Sequence, residues 1–345
     1  MDTKIQFMLL ALRQAQLGLG SCAPNPAVAA VVVRNGQCIA QGYHHGPGQP
    51  HAEVEALQSV ESPSDCELYV TLEPCCHQGR TPPCTDFIIS KRLKKVYFGY
   101  FDPNPAVAGR GQQLLQQAGI ICEYLALPEI DLFYRPYHYW WQYQRPWVTA
   151  KLAISDQHEV AIGALTNSAC QFFTHQQRLQ HDALLTTVAT IINDDPLYNA
   201  RLIDPAIKKP LYILDREARL PLSARILQSC APVIIFYHQA TDSRLAALVS
   251  AGVECRYTPL CGTQLDLNHC LMSIGADGRH SLWVEAGATC FSSFLRQGLA
   301  HKVLVYIAQH NMKIETQKFE FCYETGKSRQ IDFIAMENDL LIVID

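Results

Sequence analysis

The sequence has no long apolar run and no excess of positive charge. No segment approaches the roughly 18 consecutive apolar residues of a membrane span, and the apolar run at residues 7–12 is short and has no cleavage pattern after it. Lysine and arginine number 28 against 32 acidic residues, which gives a formal net charge of -4. We therefore expect no membrane partner and no nucleic-acid partner, because an obligatory polyanion usually requires a basic surface.

A disulfide framework is also lacking. The 14 cysteines are sparse in a chain of 345 residues, and no secretion signal is evident, so we expect a cytoplasmic protein with reduced thiols. Most of these cysteines are interpreted as small buried side chains. Cys75 and Cys84 differ because of the residues around them.

The chain has 48% hydrophobic residues and enough length for two domains. Strand-like and helix-like segments alternate in both halves, which predicts two α/β domains, at residues 1–126 and 147–345. In the first domain, Asn35-Gly36 predicts a hairpin, and the elements after it are a helix at 51–59, a strand at 67–71, a helix at 84–93 and a strand at 96–100. In the second domain we predict strands at 148–154, 183–187, 211–215, 233–237, 282–284 and 303–308, helices near 171–180, 243–251 and 291–298, and antiparallel closing strands at 319–323, 330–336 and 340–344.

Residues 127–146 are interpreted as a connection between the two domains. We find no helical or strand period there, although seven aromatic side chains occur between residues 133 and 143. Aromatic clusters at domain junctions more often fill an interface than stack on nucleic-acid bases. This segment therefore does not change the expectation of a protein without a nucleic-acid partner.

His51, Cys75 and Cys84 follow one another in the order typical of a zinc hydrolase. A zinc ion with three protein ligands keeps a fourth position for water and lowers the pKa of that water to about 7. Predicted helix starts lie near the ligands, where the helix dipole favours thiolate over thiol. Glu53 lies two residues after His51, so its carboxylate can transfer protons in the same cleft without binding the metal. The pattern predicts one zinc ion per chain and Glu53 as the catalytic residue.

The choice of thiol ligands has alternatives. The usual nucleobase deaminase signature is Pro-Cys-x-x-Cys, whereas here eight residues separate Cys75 from Cys84. Cys76 and His77 are rival ligands, but adjacent residues rarely point to one metal, which favours Cys75 with Cys84. A structural zinc site is also an alternative, although such sites usually close with four protein ligands.

Several motifs resemble the bacterial bifunctional riboflavin-biosynthesis deaminase/reductase family. The matching segments are Pro24-Asn25-Pro26-Ala27-Val28, Gly42-Tyr43-His44, His51-Ala52-Glu53, Thr71-Leu72-Glu73-Pro74-Cys75, Gly79-Arg80-Thr81-Pro82-Pro83-Cys84 and Asp102-Pro103-Asn104-Pro105. The resemblance implies a cytidine-deaminase-like first domain that removes the 2-amino group of 2,5-diamino-6-(5-phosphoribosylamino)pyrimidin-4(3H)-one. It also implies that Asn25, His44 and His77 contact the ring or ribose of this substrate and that Arg80 holds its phosphate.

The same resemblance implies a dihydrofolate-reductase-like second domain that uses NADPH to reduce the ribose of the product. The matching positions are Arg178 and Arg201 for the phosphate, Asp194 and Glu285 for hydroxyls or amines, and Thr190 and Gly287 near the cofactor. The cofactor side departs from the family. Its Gly-x-Gly-Thr is Thr187-Val188-Ala189-Thr190 here, and a Thr side chain is expected to fill space that the dinucleotide needs. Residues 155–158, 163–166 and 308–313 differ as well.

Two alternatives remain for the second domain. It is either a working NADPH reductase or a structural and oligomerising domain without activity, and the lost glycines favour the latter. For the first domain the alternatives are a tRNA or nucleobase deaminase, which the long thiol loop and the negative net charge disfavour, and a non-catalytic zinc-stabilised binding protein, which would not need Glu53. By analogy with the family we expect a small-molecule substrate and a homo-oligomer formed through the second domain.

Overall fold

The structure is a computed structural model that describes residues 2–79, 81–155, 159–161, 166–308, 316–318 and 330–345. Contacts divide the chain into two compact units, Met1–Gln144 and Arg145–Asp345. Within the described ranges, no helix combines the length and apolar character needed to cross a membrane.

The first unit is built around one five-stranded sheet. Its elements are α1 (Thr3–Ala15), β1 (Ala29–Arg34), β2 (Gln37–Tyr43), α2 (Ala52–Gln58), β3 (Glu67–Val70), α3 (Cys84–Ser90), β4 (Lys95–Phe98), α4 (Arg110–Gln117), β5 (Ile121–Tyr124) and α5 (Pro128–Tyr143). The strand order is β2-β1-β3-β4-β5, with β1 antiparallel to both neighbours and the remaining pairs parallel. The predicted hairpin is confirmed, because Asn35 and Gly36 both have positive φ, as the tight turns that match strand twist require.

Both faces of this sheet are buried, and β1 shows how. Ala30 and Val32 pack with α2, α3 and α4 on one face, whereas Val31 and Val33 pack with α1 and α5 on the other. Side chains alternate along a strand, so an uninterrupted apolar run is what a strand covered on two faces needs.

The aromatic-rich segment is a helix, so the prediction that it has no period is wrong. α5 runs over 16 residues and buries Ile130, Tyr134 and Tyr137, which recur at intervals of four and three. The helix also contains Pro136, a residue that normally argues against a helix interior because it lacks the backbone N–H. The buried tyrosines pack in the core of the first unit.

The second unit contains a nine-stranded sheet. Its elements are β6 (Trp147–Ser155), β7 (Glu159–Ala161), α6 (Ser168–Gln180), β8 (Ala183–Thr187), α7 (Val188–Asp194), β9 (Leu211–Leu214), α8 (Ile226–Ser229), β10 (Val233–Tyr237), α9 (Asp242–Ser250), β11 (Val253–Tyr257), β12 (Leu260–Cys261), β13 (Gln264–Leu265), α10 (Leu267–Ala276), β14 (Ser281–Glu285), α11 (Ala288–Arg296), β15 (Lys302–Ala308), β16 (Thr316–Lys318), β17 (Ile331–Met336) and β18 (Asp339–Ile344).

The strand order of this sheet is β11-β10-β9-β8-β14-β6-β15-β18-β17. The strands from β11 to β15 are parallel, and β18 and β17 are added antiparallel to their neighbours. The two predicted closing strands at 330–336 and 340–344 are thus confirmed, whereas the one at 319–323 lies outside the described residues. α7 and α10 were not predicted; α7 spans only seven residues, which is short for a helical period to stand out.

Candidate active sites

The three predicted zinc ligands lie together in the first unit. Their ligand atoms are all within 4.8 Å of one another, and His51 Nδ1 is 3.2 Å from Cys84 Sγ and 3.5 Å from Cys75 Sγ. His51 is the residue before α2 and Cys84 is the first residue of α3. One imidazole and two thiols form a donor set that suits zinc, and three ligands leave a fourth position for water or substrate.

The neighbouring groups prepare these ligands for a metal. His51 Nε2 lies 3.1 Å from the hydroxyl of Thr81, which fixes the ring and leaves Nδ1 directed at the thiols. The thiol of Cys84 shares a hydrogen bond with Cys75, which lowers the pKa of Cys75 to about 4 and raises that of Cys84. Both thiols would bind a metal ion as thiolates, so metal binding is coupled to loss of the thiol protons.

The rival ligands point elsewhere. Cys76 Sγ donates a hydrogen bond to the carbonyl oxygen of Ala106 at 3.6 Å. His77 does not belong to the cluster of ligand atoms within the described part of the chain, and its Nδ1 is buried without a hydrogen-bond partner there. The geometry thus selects Cys75 and Cys84 over Cys76 and His77.

Glu53 lies in the first turn of α2 and is only 3% exposed. Burial raises the pKa of its carboxyl group, and the negative charge of Cys75 acts in the same direction. A carboxyl group whose pKa is moved toward neutrality is suited to accept and return a proton at physiological pH. The carboxylate of Glu53 is not one of the clustered ligand atoms, which belong to His51, Cys75 and Cys84.

Asn25 and His44 form a hydrogen-bonded pair beside the ligands. The imidazole Nδ1 of His44 is 3.0 Å from the carbonyl oxygen of Pro50, so Nδ1 carries the proton and Nε2 accepts from the Asn25 amide at 3.0 Å. Burial lowers the pKa of His44, which favours this neutral form. The rings of His44 and His51 are 5.3 Å apart, edge to face. Arg80 lies outside the described residues.

Glu73 and Asp102 were not assigned a role from the sequence, although both stand in the matching motifs. The buried carboxylate of Glu73 accepts hydrogen bonds from the backbone N–H groups of Gly109 and Gln112, at 2.9 and 3.1 Å. Asp102 is also buried, and burial raises the pKa of its carboxyl group to about 6. Glu73 therefore fastens the segment that starts at Asp102 to the backbone that leads into Cys75.

A cavity of about 1360 Å³ in the second unit brings the predicted reductase residues together. Its lining includes Arg178, Thr190, Asp194, Arg201, Glu285 and Gly287, which are spread over more than a hundred residues of sequence. The cavity lies where β8 and β14 end at their carboxyl edge, the usual position of ligand sites in parallel sheets.

Arg178 and Glu285 form a bidentate ion pair in this cavity. Arg178 Nε and Nη2 donate to the carboxylate at 2.9 and 2.8 Å, while Nη1 donates to the carbonyl oxygen of Asn199 at 3.0 Å. Lys151 Nζ is 3.8 Å from the same carboxylate, and Trp283 Nε1 donates to it at 3.0 Å. Burial alone would raise the pKa of Glu285, but the charges of Arg178 and Lys151 outweigh it and hold the pKa well below its usual range.

This pairing separates the two predicted phosphate arginines. All the donor nitrogens of Arg178 have partners, whereas Arg201 is exposed and donates a 3.4 Å hydrogen bond to the Asn199 side chain. A guanidinium with donors turned to solvent is the better phosphate ligand. Arg201 thus turns donors to solvent in the cavity, whereas Arg178 is held by Glu285.

The residues of the cavity fit a dinucleotide. Thr187 Oγ1 accepts from the backbone N–H of Thr190 at 3.4 Å, so this side chain caps α7, and Thr187 is also among the residues that line the cavity. Gly287 precedes α11 without a side-chain cap, and nothing lies within 4 Å of the position that a Cβ would take there. Residues 287–290 line the cavity, so the N–H groups at the start of α11 are open to an anion such as a pyrophosphate.

Comparisons with known proteins agree with the two sites. Residues 1–100 match the model of the cytidine and deoxycytidylate deaminase zinc-binding region, and residues 146–309 match that of the RibD C-terminal domain. The riboflavin biosynthesis protein RibD of Actinobacillus pleuropneumoniae is 35% identical over 89% of this chain and 84% of its own length. The RibD protein of Escherichia coli is 34% identical over 88% of this chain and 86% of its own.

Solved structures agree over nearly the whole chain. Acinetobacter baumannii RibD superimposes with a TM-score of 0.86 and 30% identity, covering 99% of this chain and 98% of that one. A Thermotoga maritima diaminohydroxyphosphoribosylaminopyrimidine deaminase/5-amino-6-(5-phosphoribosylamino)uracil reductase gives a TM-score of 0.84 with 28% identity and the same coverage. These likenesses support a zinc-dependent deaminase half and favour a working NADPH reductase over an inactive second domain. The chain belongs to the RibD family of bifunctional riboflavin biosynthesis enzymes.

Proposed function

We propose that the chain catalyses two consecutive steps on one pyrimidine ribotide. The first is hydrolytic loss of the 2-amino group of 2,5-diamino-6-(5-phosphoribosylamino)pyrimidin-4(3H)-one, and the second is NADPH-dependent reduction of the ribose of the product to a ribityl chain. The observation that carries the proposal is the cluster of His51, Cys75 and Cys84 beside the buried carboxyl group of Glu53. The description of the Thermotoga maritima relative as both a deaminase and a reductase supports the proposal.

In the deamination, His51, Cys75 and Cys84 would hold a zinc ion. Zinc bound there would supply a water molecule of lowered pKa, able to attack at neutral pH. Glu53 takes a proton from that water and returns one to the departing amino group, so that water and the amine become a ring carbonyl and ammonia. Its burial keeps the proton on this path rather than in bulk solvent.

The substrate side of the deaminase site consists of Asn25, His44 and His77. Both ring nitrogens of His44 are used by Pro50 and Asn25, so His44 orients the Asn25 amide, whose remaining N–H and oxygen bind the ring or ribose, while the imidazole contacts the ligand through its ring. The unpartnered Nδ1 of His77 offers a further hydrogen bond to the ligand. We assign the substrate phosphate to Arg80 by the family motif.

In the second step, NADPH bound in the cavity would supply the hydride that reduces the ribose carbon. Thr190 and Gly287 would contact this cofactor, Asp194 would bind substrate hydroxyls and Arg201 would bind the phosphate. Glu285 holds the side chains of Arg178 and Lys151 in place rather than leaving its carboxylate free for substrate. Burial lowers the pKa of Lys151, which makes its ammonium group a readier proton donor to the alkoxide or amine that forms.

A two-stage assay on the purified full chain tests this proposal. Ammonia release from the ribotide is measured first, and NADPH oxidation is then followed at its absorbance band. We expect both, with one NADPH consumed per ammonia. Removing zinc with a chelator should abolish ammonia release, while NADPH oxidation persists when the deaminated product is supplied. Ammonia release that survives complete loss of zinc would contradict the first step, and no NADPH oxidation with the supplied product would contradict the second.

We further propose a cytoplasmic homo-oligomer that associates through the second unit. The edge strand β17 supports this, because Phe333 and Ile331 expose 67% and 50% of their surface. Exposed apolar strands at a sheet edge favour pairing with another chain. The molar mass of the protein in solution tests the proposal.

A further inference from the structure

The buried face of α5 reaches the backbone around the deaminase site through two tyrosine hydroxyls. Tyr134 is 1% exposed and Tyr137 is 7% exposed. Both hydroxyls have hydrogen-bond partners in segments that carry active-site residues. We propose that Tyr134 and Tyr137 are positioning residues that hold the substrate side of the deaminase site. This inference rests on the proposed deaminase function.

The hydroxyl of Tyr134 joins two strand ends. It donates to the carbonyl oxygen of Ala27 at 3.0 Å, and Thr71 Oγ1 lies 2.7 Å away. A carbonyl oxygen can only accept, so the single proton of Tyr134 goes to Ala27 and Thr71 must donate to Tyr134. Thr71 Oγ1 in turn accepts from the N–H of Ala29 at 3.2 Å. Each hydroxyl therefore both donates and accepts a hydrogen bond, so the donor and the acceptor of every bond in this chain are fixed.

These bonds end next to the Asn25–His44 pair. Ala27 lies two residues after Asn25, and the carbonyl oxygen of Val28 accepts from the N–H of His44 at 2.8 Å. The Asn25 amide contacts His44 directly. Removing the Tyr134 hydroxyl leaves the Ala27 carbonyl without this partner in a buried place, so the backbone under both substrate-contacting side chains can shift.

Tyr137 acts on the other side of the site. Its hydroxyl donates to Asp102 Oδ1 at 3.2 Å, and the same carboxylate oxygen accepts from the N–H of Asn104 at 2.9 Å. The segment that begins there also provides the Ala106 carbonyl that accepts from Cys76, the neighbour of the ligand Cys75. Tyr137 thus fixes the segment that borders the metal ligands.

Helix α5 lies between the two regions that match family models, residues 1–100 and 146–309. Its buried aromatic residues pack in the core of the first unit and donate hydrogen bonds to segments of the deaminase site, although neither family model covers them. We infer that the deaminase domain extends through Tyr143, beyond the limit at residue 126 expected from the sequence.

The test compares Tyr134→Phe and Tyr137→Phe with Tyr143→Phe in the full chain. Tyr143 lies on the same helix but is 46% exposed, so it controls for the loss of a hydroxyl alone. The measured quantities are KM and kcat for ammonia release and the zinc content. We expect each buried variant to raise KM about tenfold, with kcat within about threefold of wild type, and one zinc ion per chain. Tyr143→Phe should match wild type.

A purely structural role gives a different pattern. It reduces the folded fraction, so that kcat per mole of protein and zinc content fall together while KM stays constant. That pattern, or an unchanged KM, overturns the inference for the tyrosine concerned, and each variant decides its own residue. A wild-type chain that releases no ammonia overturns the proposed function and this inference with it. Wild-type activity together with wild-type KM in both variants overturns the inference alone.

Discussion

Replacing Glu53 by glutamine should lower the rate of ammonia release by a factor of about 10² to 10⁴. Glutamine has nearly the size of glutamate, so it keeps the buried first turn of α2 packed, but it can neither take a proton from water nor return one to the leaving amine. The zinc content should stay at one ion per chain, because Glu53 is not among the clustered ligand atoms. Steady-state ammonia release and metal analysis check both statements.

Glu61→Gln is the matched control for this variant. Glu61 is an exposed residue of the same unit, and its exchange should leave both ammonia release and zinc content at wild-type values. Undiminished release by Glu53→Gln would contradict the proposed proton transfer. Parallel loss of zinc and activity would instead assign Glu53 to the metal site itself. The alternative of a non-catalytic zinc protein predicts that neither the wild-type chain nor the two variants release ammonia.

Replacing Glu285 by glutamine should destabilise the second unit by about 3 to 5 kcal/mol and abolish NADPH oxidation. The side chains of Arg178 and Glu285 are only 10% and 16% exposed, and the change leaves two buried positive charges, those of Arg178 and Lys151, without their carboxylate. Denaturant unfolding of the wild-type and variant full chains, followed by circular dichroism, measures the loss of stability, and NADPH oxidation with the supplied product is assayed separately. Ammonia release should be retained, because the pair lies wholly within the second unit.

The same pair predicts a pH dependence. The pKa of Glu285 in the folded protein is well below its usual range, so its contribution to stability is complete above the unfolded pKa of about 4.3 and is lost as the pH falls toward the folded value. The acid limb of the stability curve should therefore weaken in Glu285→Gln. Glu254→Gln removes an exposed partner of Arg256 and should change little, since surface ion pairs contribute little. Equal losses in the two variants would contradict the assignment.

The zinc centre was predictable because its residues come from two short segments of the sequence, 51–53 and 75–84. His51 and Glu53 lie within one helical turn, and Cys75 and Cys84 follow at a spacing that few other sites require. Which of the neighbouring thiols binds metal was not fixed by spacing, since Cys76 differs from Cys75 only in the direction of its side chain. That direction depends on the Ala106 carbonyl, which comes from a distant segment.

Two kinds of feature could not be predicted from the sequence. The first is contacts between residues that are far apart in the sequence, and the second is elements that depart from local sequence preferences. Arg178 and Glu285 are separated by 107 residues, so their pairing, which removes Arg178 from the free phosphate ligands, has no local signal. Thr187 was considered in the sequence only for the volume of its side chain, whereas its hydroxyl also caps the start of α7. α5 was not predicted, because Pro136 argues against a helix interior although the buried residues around it have helical spacing.

The loop between the two thiols is held at both ends independently of its length. The N–H of Cys84 donates to Cys75 Sγ at 3.3 Å, and the N–H of Thr85 donates to the Cys75 carbonyl at 3.1 Å. Changes of length between residues 76 and 80 can therefore accumulate without separating Cys75 from Cys84, whereas Thr81 is constrained because its hydroxyl orients the His51 ring. Evolution can thus alter the part of the substrate surface that this loop contributes while the hydrolytic core stays unchanged.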